Sequence, residues 1–429
     1  MDSADKDSQP ASTADSPRRF RLLEAIGPGI LVAATGVGAG DLAGGAIAGA
    51  KLKLDILWVV LVGAGLKYVL CEGLARWQLQ TSTSLPDGVF KATGALCRTL
   101  FLAYVAVWSF CIGGMLMSAC GECSQAILPL GSNATGRIIH GCLASLTAIL
   151  LVRIGGFRLF ERMMAVCIAV MFLTVVTVAA LTAPAWTDVA QGLLLPRIPH
   201  AGGNGIAWAL TLMAGVGGTL TMLCYGTWIR EKDRTTAAAI PLCRIDLGAG
   251  YLMTAVFGIS MVILGSRLTV NADLKGVNLI NDLASEMSVG VGQYGSIAAW
   301  MFRLGAWGAV FSSLLGVWQS VPALIEDMLP GKADAPETES RTYNRILLAM
   351  GILPMLCLPF SLATVQKVAG VTGAAFMPMF ALSLLLLPRS SRGREAGFRN
   401  GWFTTAILTL SLLLFGFLAG QKIWQVLGG

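Results

Sequence analysis

Two stretches decide how this sequence folds: Gly36-Val37-Gly38-Ala39-Gly40-Asp41 and Gly215-Val216-Gly217-Gly218-Thr219. Each carries Gly-Val-Gly in the middle of an apolar run long enough to cross a bilayer. Glycine lets a membrane helix unwind, and the unwound turn frees backbone carbonyls and helix ends to face a solute. Glycines also let neighbouring helices pack closely. Recurrence in two halves of the chain, with an aspartate directly after the first break, favours a solute site.

The rest of the chain fits a membrane setting. Apolar residues make up 55% of 429 residues, charged residues 13%, and mean hydropathy is +0.70. Hydrophobic spans are read near 27–50, 56–79, 99–124, 134–152, 160–183, 204–228, 246–266, 293–319, 343–361, 364–387 and 402–424, each sufficient to cross a bilayer or nearly so. Residues 1–25 are polar, without the apolar stretch of a signal peptide, and read as a disordered cytoplasmic tail. Residues 26–429 then form one membrane domain.

With the N-terminus placed inside, twenty-one Lys and Arg residues fall on the cytoplasmic side and eight on the other, which satisfies the positive-inside rule. Eleven spans put the C-terminus outside. Spans one to five (27–183) and six to ten (204–387) acquire opposite orientations, with a broken helix first in each. This is an all-α inverted five-plus-five repeat, the leucine-transporter-like fold, with an extra helix at 402–424.

Several other features are read as ordinary. The ten cysteines lie mostly in apolar spans, and Cys120-Gly121-Glu122-Cys123 has no second pair beside it, so buried thiols are expected. Glu72 and Arg76 form an i, i+4 pair. His140 and His200 lie far from the breaks in this topology. There is no P-loop, nucleotide fingerprint or hydrolase arrangement, so neither enzyme chemistry nor a cofactor is expected. The formal charge of +7 reflects topology, and the expected partners are lipid and a small cation, with no nucleic acid.

Gly27-Pro28-Gly29-Ile30-Leu31-Val32-Ala33, Leu57-Trp58-Val59 opening the second span, Glu72-Gly73-Leu74-Ala75-Arg76 and Ser312-Ser313-Leu314-Leu315-Gly316 together resemble the Nramp divalent-metal transporters. The resemblance runs through nearly the whole hydrophobic region. It implies proton-linked transport of a divalent metal, with Asp and Asn of an Asp-Pro-Gly-Asn motif in the first break and Met and His of the sixth span around the ion. Here that first motif reads Gly38-Ala39-Gly40-Asp41, and Met-Pro-His falls on Thr221, Met222 and Leu223. The acidic pair of the third span falls near Met115 and Ser118. A site of Asp41 and unwound carbonyls would be harder than the family's, with Met222 as a soft contributor.

The expected substrate site therefore comprises Asp41, Gly38, Gly40, Gly217, Gly218, Thr219, Thr221 and Gln366, with Asp41 and Met222 as metal ligands. A charge inside the bilayer needs a partner or a wet cavity. Arg303, well inside the eighth span, is expected to pair with Asp41, Glu72 or Glu122 or to meet an anionic group, and Glu122 to sit at a wetted rim or act at a gate. The function read from this is a secondary-active carrier of a divalent cation. The alternatives are a non-transporting sensor or scaffold, or a carrier of a small organic solute.

Overall fold

The computed structural model describes residues 27–182, 185–199, 205–268, 276–290, 292–329 and 340–427. The polar tail and His200 lie outside them. The described residues form helices and connecting loops and no strand. Eight helical stretches are long and apolar enough to cross a membrane.

Each expected span has its helix. The first is split into α1 (Pro28–Gly36) and α2 (Ala39–Leu52), and α3 (Leu57–Thr81) is the second. A short α4 (Leu85–Thr93) precedes α5 (Ala95–Ile127), the third span. The next helix, α6 (Asn133–Thr182), is 50 residues long but leaves helical geometry at Gly156, with φ +58° and ψ −176°, and so supplies spans four and five. After a short α7 (Trp186–Leu194), the sixth span is split into α8 (Gly205–Gly215) and α9 (Cys224–Glu231). The seventh span is α10 (Ile240–Ser266). The polar 267–292 connection carries α11 (Gly276–Gly290), and α12 (Gly295–Met328) is the eighth span. The last three spans are α13 (Arg341–Ile352) with a 3-10 turn Leu353–Cys357, α14 (Leu362–Leu386) and, beyond the short α15 (Ser391–Glu395), α16 (Trp402–Leu427).

The ends follow from local sequence. Ser84 and Ser361 accept the amides of Asp87 and Thr364, capping α4 and α14. Pro378 does not end α14, which runs through it.

The core is apolar and joins α3, α5, α10 and α12 around the two broken helices. Packing between α2 and α10 depends on small residues. A side-chain carbon on Gly49 would fall 2.2 Å from the carbonyl oxygen of Val262, and one on Gly265 2.1 Å from that of Ala46. Backbones this close gain dispersion contacts that lipid cannot replace.

Candidate substrate site at the two helix breaks

The glycine-rich stretches are breaks in the structure. In the first, the amide of Val37 still reaches Ala33, but Gly38 turns back to Gly36 at 3.1 Å before α2 begins. The carbonyls exposed by this turn are met from α12. Ser312 donates to Ala34 at 3.0 Å, while Ser313 stands 3.3 Å from the Val37 carbonyl oxygen. In the second break, Gly217 and Gly218 take φ of +75° and +78°, a left-handed pair that side-chain-bearing residues adopt only with strain. The chain re-enters helix through a 3-10 turn at Leu220–Leu223.

The two breaks touch. A side-chain carbon on Gly218 would lie 3.2 Å from Cα of Gly36. Above the contact opens a cavity of about 800 Å³. Its lining includes Thr35, Gly38, Asp41, Gly218, Thr219 and Thr221 from the breaks, apolar residues such as Trp108, Ile112, Met115 and Trp208, and the polar Lys51, Glu122, Gln366 and Lys367.

Asp41 and Lys67 hold the charge at the breaks. Asp41, in the first turn of α2, is 3% exposed, and neither carboxylate oxygen accepts a fully formed hydrogen bond, although the amides of Gly38 and Gly217 stand nearby. The cation acting on it is Lys67 of α3, which is wholly buried. The Lys67 ammonium donates to the carbonyl oxygens of Ala214 at 2.7 Å and Gly218 at 2.5 Å. Neither carbonyl receives the amide four residues on, because the break has removed it. Lys67 thus sits where an unwound helix offers oxygens to a cation. One turn below, Cys71 and the Tyr251 hydroxyl are 3.1 Å apart.

The expected site residues divide. Asp41, Gly38, Gly218, Thr219, Thr221 and Gln366 line the cavity together. Gly40 lies in the first turn of α2, and Gly217 supports the break without lining the cavity. Met222 is 1% exposed and packs in the core, away from the cavity lining, so its sulfur is not presented to the site. Arg303 requires correction as the partner of Asp41: its guanidinium donates to Asn281 on α11 at 3.3 Å and stands over Trp300, outside the cavity. The 267–292 connection, long enough to carry structure of its own, supplies that partner through α11. Glu122 lies at the cavity wall and 3.6 Å from Arg137.

Ion pairs gather near the start of α1. Asp246 of α10 is wholly buried and accepts the amide of Gly27 at 3.0 Å, Arg234 at 2.9 Å and the Tyr225 hydroxyl at 3.1 Å. This explains Gly27-Pro28-Gly29: the N-terminus of α1 is held by a carboxylate, and a side-chain carbon on Gly29 would fall 2.1 Å from the Asp246 carbonyl oxygen. Burial opposes the charge on Arg234, but Asp246 beside it prevails and holds the guanidinium above its usual value. Lys232 pairs with Glu161 at 2.7 Å, and Arg230 with Asp327. Glu72 binds Arg244 at 2.8 Å and Arg76 at 3.4 Å.

A membrane protein with two broken helices meeting beside a cavity that a buried carboxylate lines, and with ion pairs gathered near the start of the first, has the architecture of a broken-helix transporter. Comparison with known proteins makes this specific. The family model described as natural resistance-associated macrophage protein-like matches residues 29–425, and the chain belongs to the Nramp family. The divalent metal cation transporter MntH of Chromohalobacter salexigens is 25% identical over 391 residues, covering 83% of this chain and 88% of that protein. MntH of Levilactobacillus brevis is 26% identical over 282 residues, covering 63% and 60%. A mutant of the Eremococcus coleocola manganese transporter superposes with a TM-score of 0.74 at 16% identity, covering 97% of this chain and 91% of that one. MhsT in complex with L-phenylalanine gives 0.61 at 15% identity, covering 92% and 97%.

A side-chain carbon on Gly38 would lie 2.6 Å from the Ser313 hydroxyl, so the first break packs closely against α12.

Proposed function

We propose that the protein is a secondary-active carrier working by alternating access, with the substrate cation bound between the two breaks and Asp41 as its anion. The observation that carries this reading is Asp41 itself: a buried carboxylate lining a cavity, whose oxygens lack fully formed hydrogen bonds. A carboxylate in such a place wants a cation or a donor.

A divalent metal is the proposed cargo, following the MntH relatives. Around the cavity the oxygen donors are the Thr35, Thr219 and Thr221 hydroxyls and the break carbonyls, and the sulfur groups are those of Met115 and Cys123. Oxygen sets suit manganese, magnesium and calcium more than softer metals. Among the described residues no three His, Cys, Asp or Glu side chains group as a metal cage. Selectivity for transition metals should therefore be weak.

The large apolar-walled cavity favours a second reading, a small organic solute whose amino group meets Asp41. Calorimetric titration of the purified protein with manganese, magnesium, calcium, cadmium and a panel of organic amines separates the two. Saturable binding of manganese and magnesium with similar affinity supports the metal reading. Binding by amines alone would replace it.

A further inference from the structure

Lys67 is the side chain that the carrier reading leaves unexplained. It stands in the middle of α3, a 25-residue apolar helix, where a lone ammonium is costly. Two features stabilise it there: the two carbonyl oxygens of Ala214 and Gly218 that the second break strips of helical amides, and the field of Asp41. These are the same negative groups that the break would offer to an incoming cation. The ammonium and the substrate therefore compete for one place. Gly63, one turn before Lys67, sets α3 close to α8: a side-chain carbon on Gly63 would lie 2.9 Å from the Met213 carbonyl oxygen. That approach lets the lysine reach the break from the neighbouring helix.

We propose that Lys67 is a tethered cation that holds the substrate cation's seat in the empty carrier and is displaced when substrate binds. This rests on the carrier reading above. Two consequences follow from its geometry. While the seat is held, affinity for a metal ion is lowered, because the ion must expel a resident charge. The empty site is also internally paired, so the carrier can reorient without cargo; a lone buried Asp41 would oppose that step.

The roles are separable from a purely structural one by removing the charge. Lys67→Met takes away the ammonium at similar length. Lys67→Gln keeps an amide donor for the carbonyls of Ala214 and Gly218 without charge, and serves if the methionine variant does not fold. With manganese as the probe, Kd should fall about tenfold or more in either variant, as expected on removing one unit charge from a partly screened site. In proteoliposomes, net manganese uptake into metal-free vesicles should drop relative to exchange against internal manganese. A folded variant whose Kd is unchanged or higher overturns the proposal and makes Lys67 a structural clamp. If that result comes with Asp41-dependent uptake in the wild type, only the Lys67 proposal fails. If neither wild type nor variants bind manganese, the cargo reading fails with it.

Discussion

A side-chain carbon placed on Gly36 would stand 2.7 Å from the backbone carbonyl carbon of Gly217, so the two helix breaks meet with nothing but main chain between them. One break comes from each half of the chain; Asp41 follows the first, and the Lys67 ammonium donates to the carbonyls of Ala214 and Gly218 at the second.

That contact admits no methyl group. Gly36→Ala should push the breaks apart and cost about 1–3 kcal/mol, the usual range for overpacking. Gly217→Ala adds the strain of a left-handed alanine, roughly 1–2 kcal/mol, and a contact 3.1 Å from the Tyr251 ring. Thermal melts should show both losses, and manganese uptake should fall in both. A Gly36→Ala protein with wild-type stability and uptake would mean that the breaks do not meet this closely in the working carrier.

The start of α1 depends on Asp246. Arg234→Ala leaves that carboxylate buried without its cation, and breaking a buried pair from one side costs about 3–5 kcal/mol. The lost ties should also loosen the start of α1. A cysteine introduced at Ile30, half-buried on that helix, should react faster with a small maleimide from the Asp246 end in the Arg234→Ala protein. Equal rates in the two backgrounds would remove Asp246 from the gate.

Orientation is tested separately. The excess of Lys and Arg predicts a cytoplasmic N-terminus and an external C-terminus. Cysteines engineered at positions 3 and 428 should then be respectively protected from, and labelled by, an impermeant maleimide in intact cells. The reverse pattern would invert the topology.

Much of this was legible in the sequence, and the reasons differ by residue. The breaks at 36–41 and 215–219 were readable because Gly-Val-Gly recurs in the first span of each half, whereas Gly44-Gly45 and Gly113-Gly114 sit inside unbroken helices. The span order was readable because hydropathy is additive along the chain. Lys67 was not identified as the partner of Asp41. A lysine's reach depends on which face of α3 meets α8, and nothing in an apolar helix without periodic polarity marks that face. The clue available was a charge in mid-span, shared with Arg303; they differ in what packs opposite. Arg303 finds Asn281 on α11, a helix in the 267–292 connection, whose length suggested structure of its own without placing any side chain beside Arg303. Met222 fell on the core side because a 3-10 turn re-phases the residues after the second break, a change of register no spacing rule anticipates. Ser312 and Ser313 were noticed as a motif, but their use, capping the carbonyls freed at Ala34 and Val37, needed the fold.

The most direct test is manganese uptake by proteoliposomes containing wild type or Asp41→Asn, with the purified proteins compared by thermal melt. Asparagine keeps the shape and the oxygen at the start of α2 but removes the charge. Uptake by the wild type should be saturable, with magnesium an effective competitor, and should fall at least about tenfold in Asp41→Asn, a loss comparable to deleting a unit charge from the site. The variant should still purify as a folded protein. Robust wild-type uptake that survives Asp41→Asn would contradict the central claim that Asp41 is the anion of the substrate site.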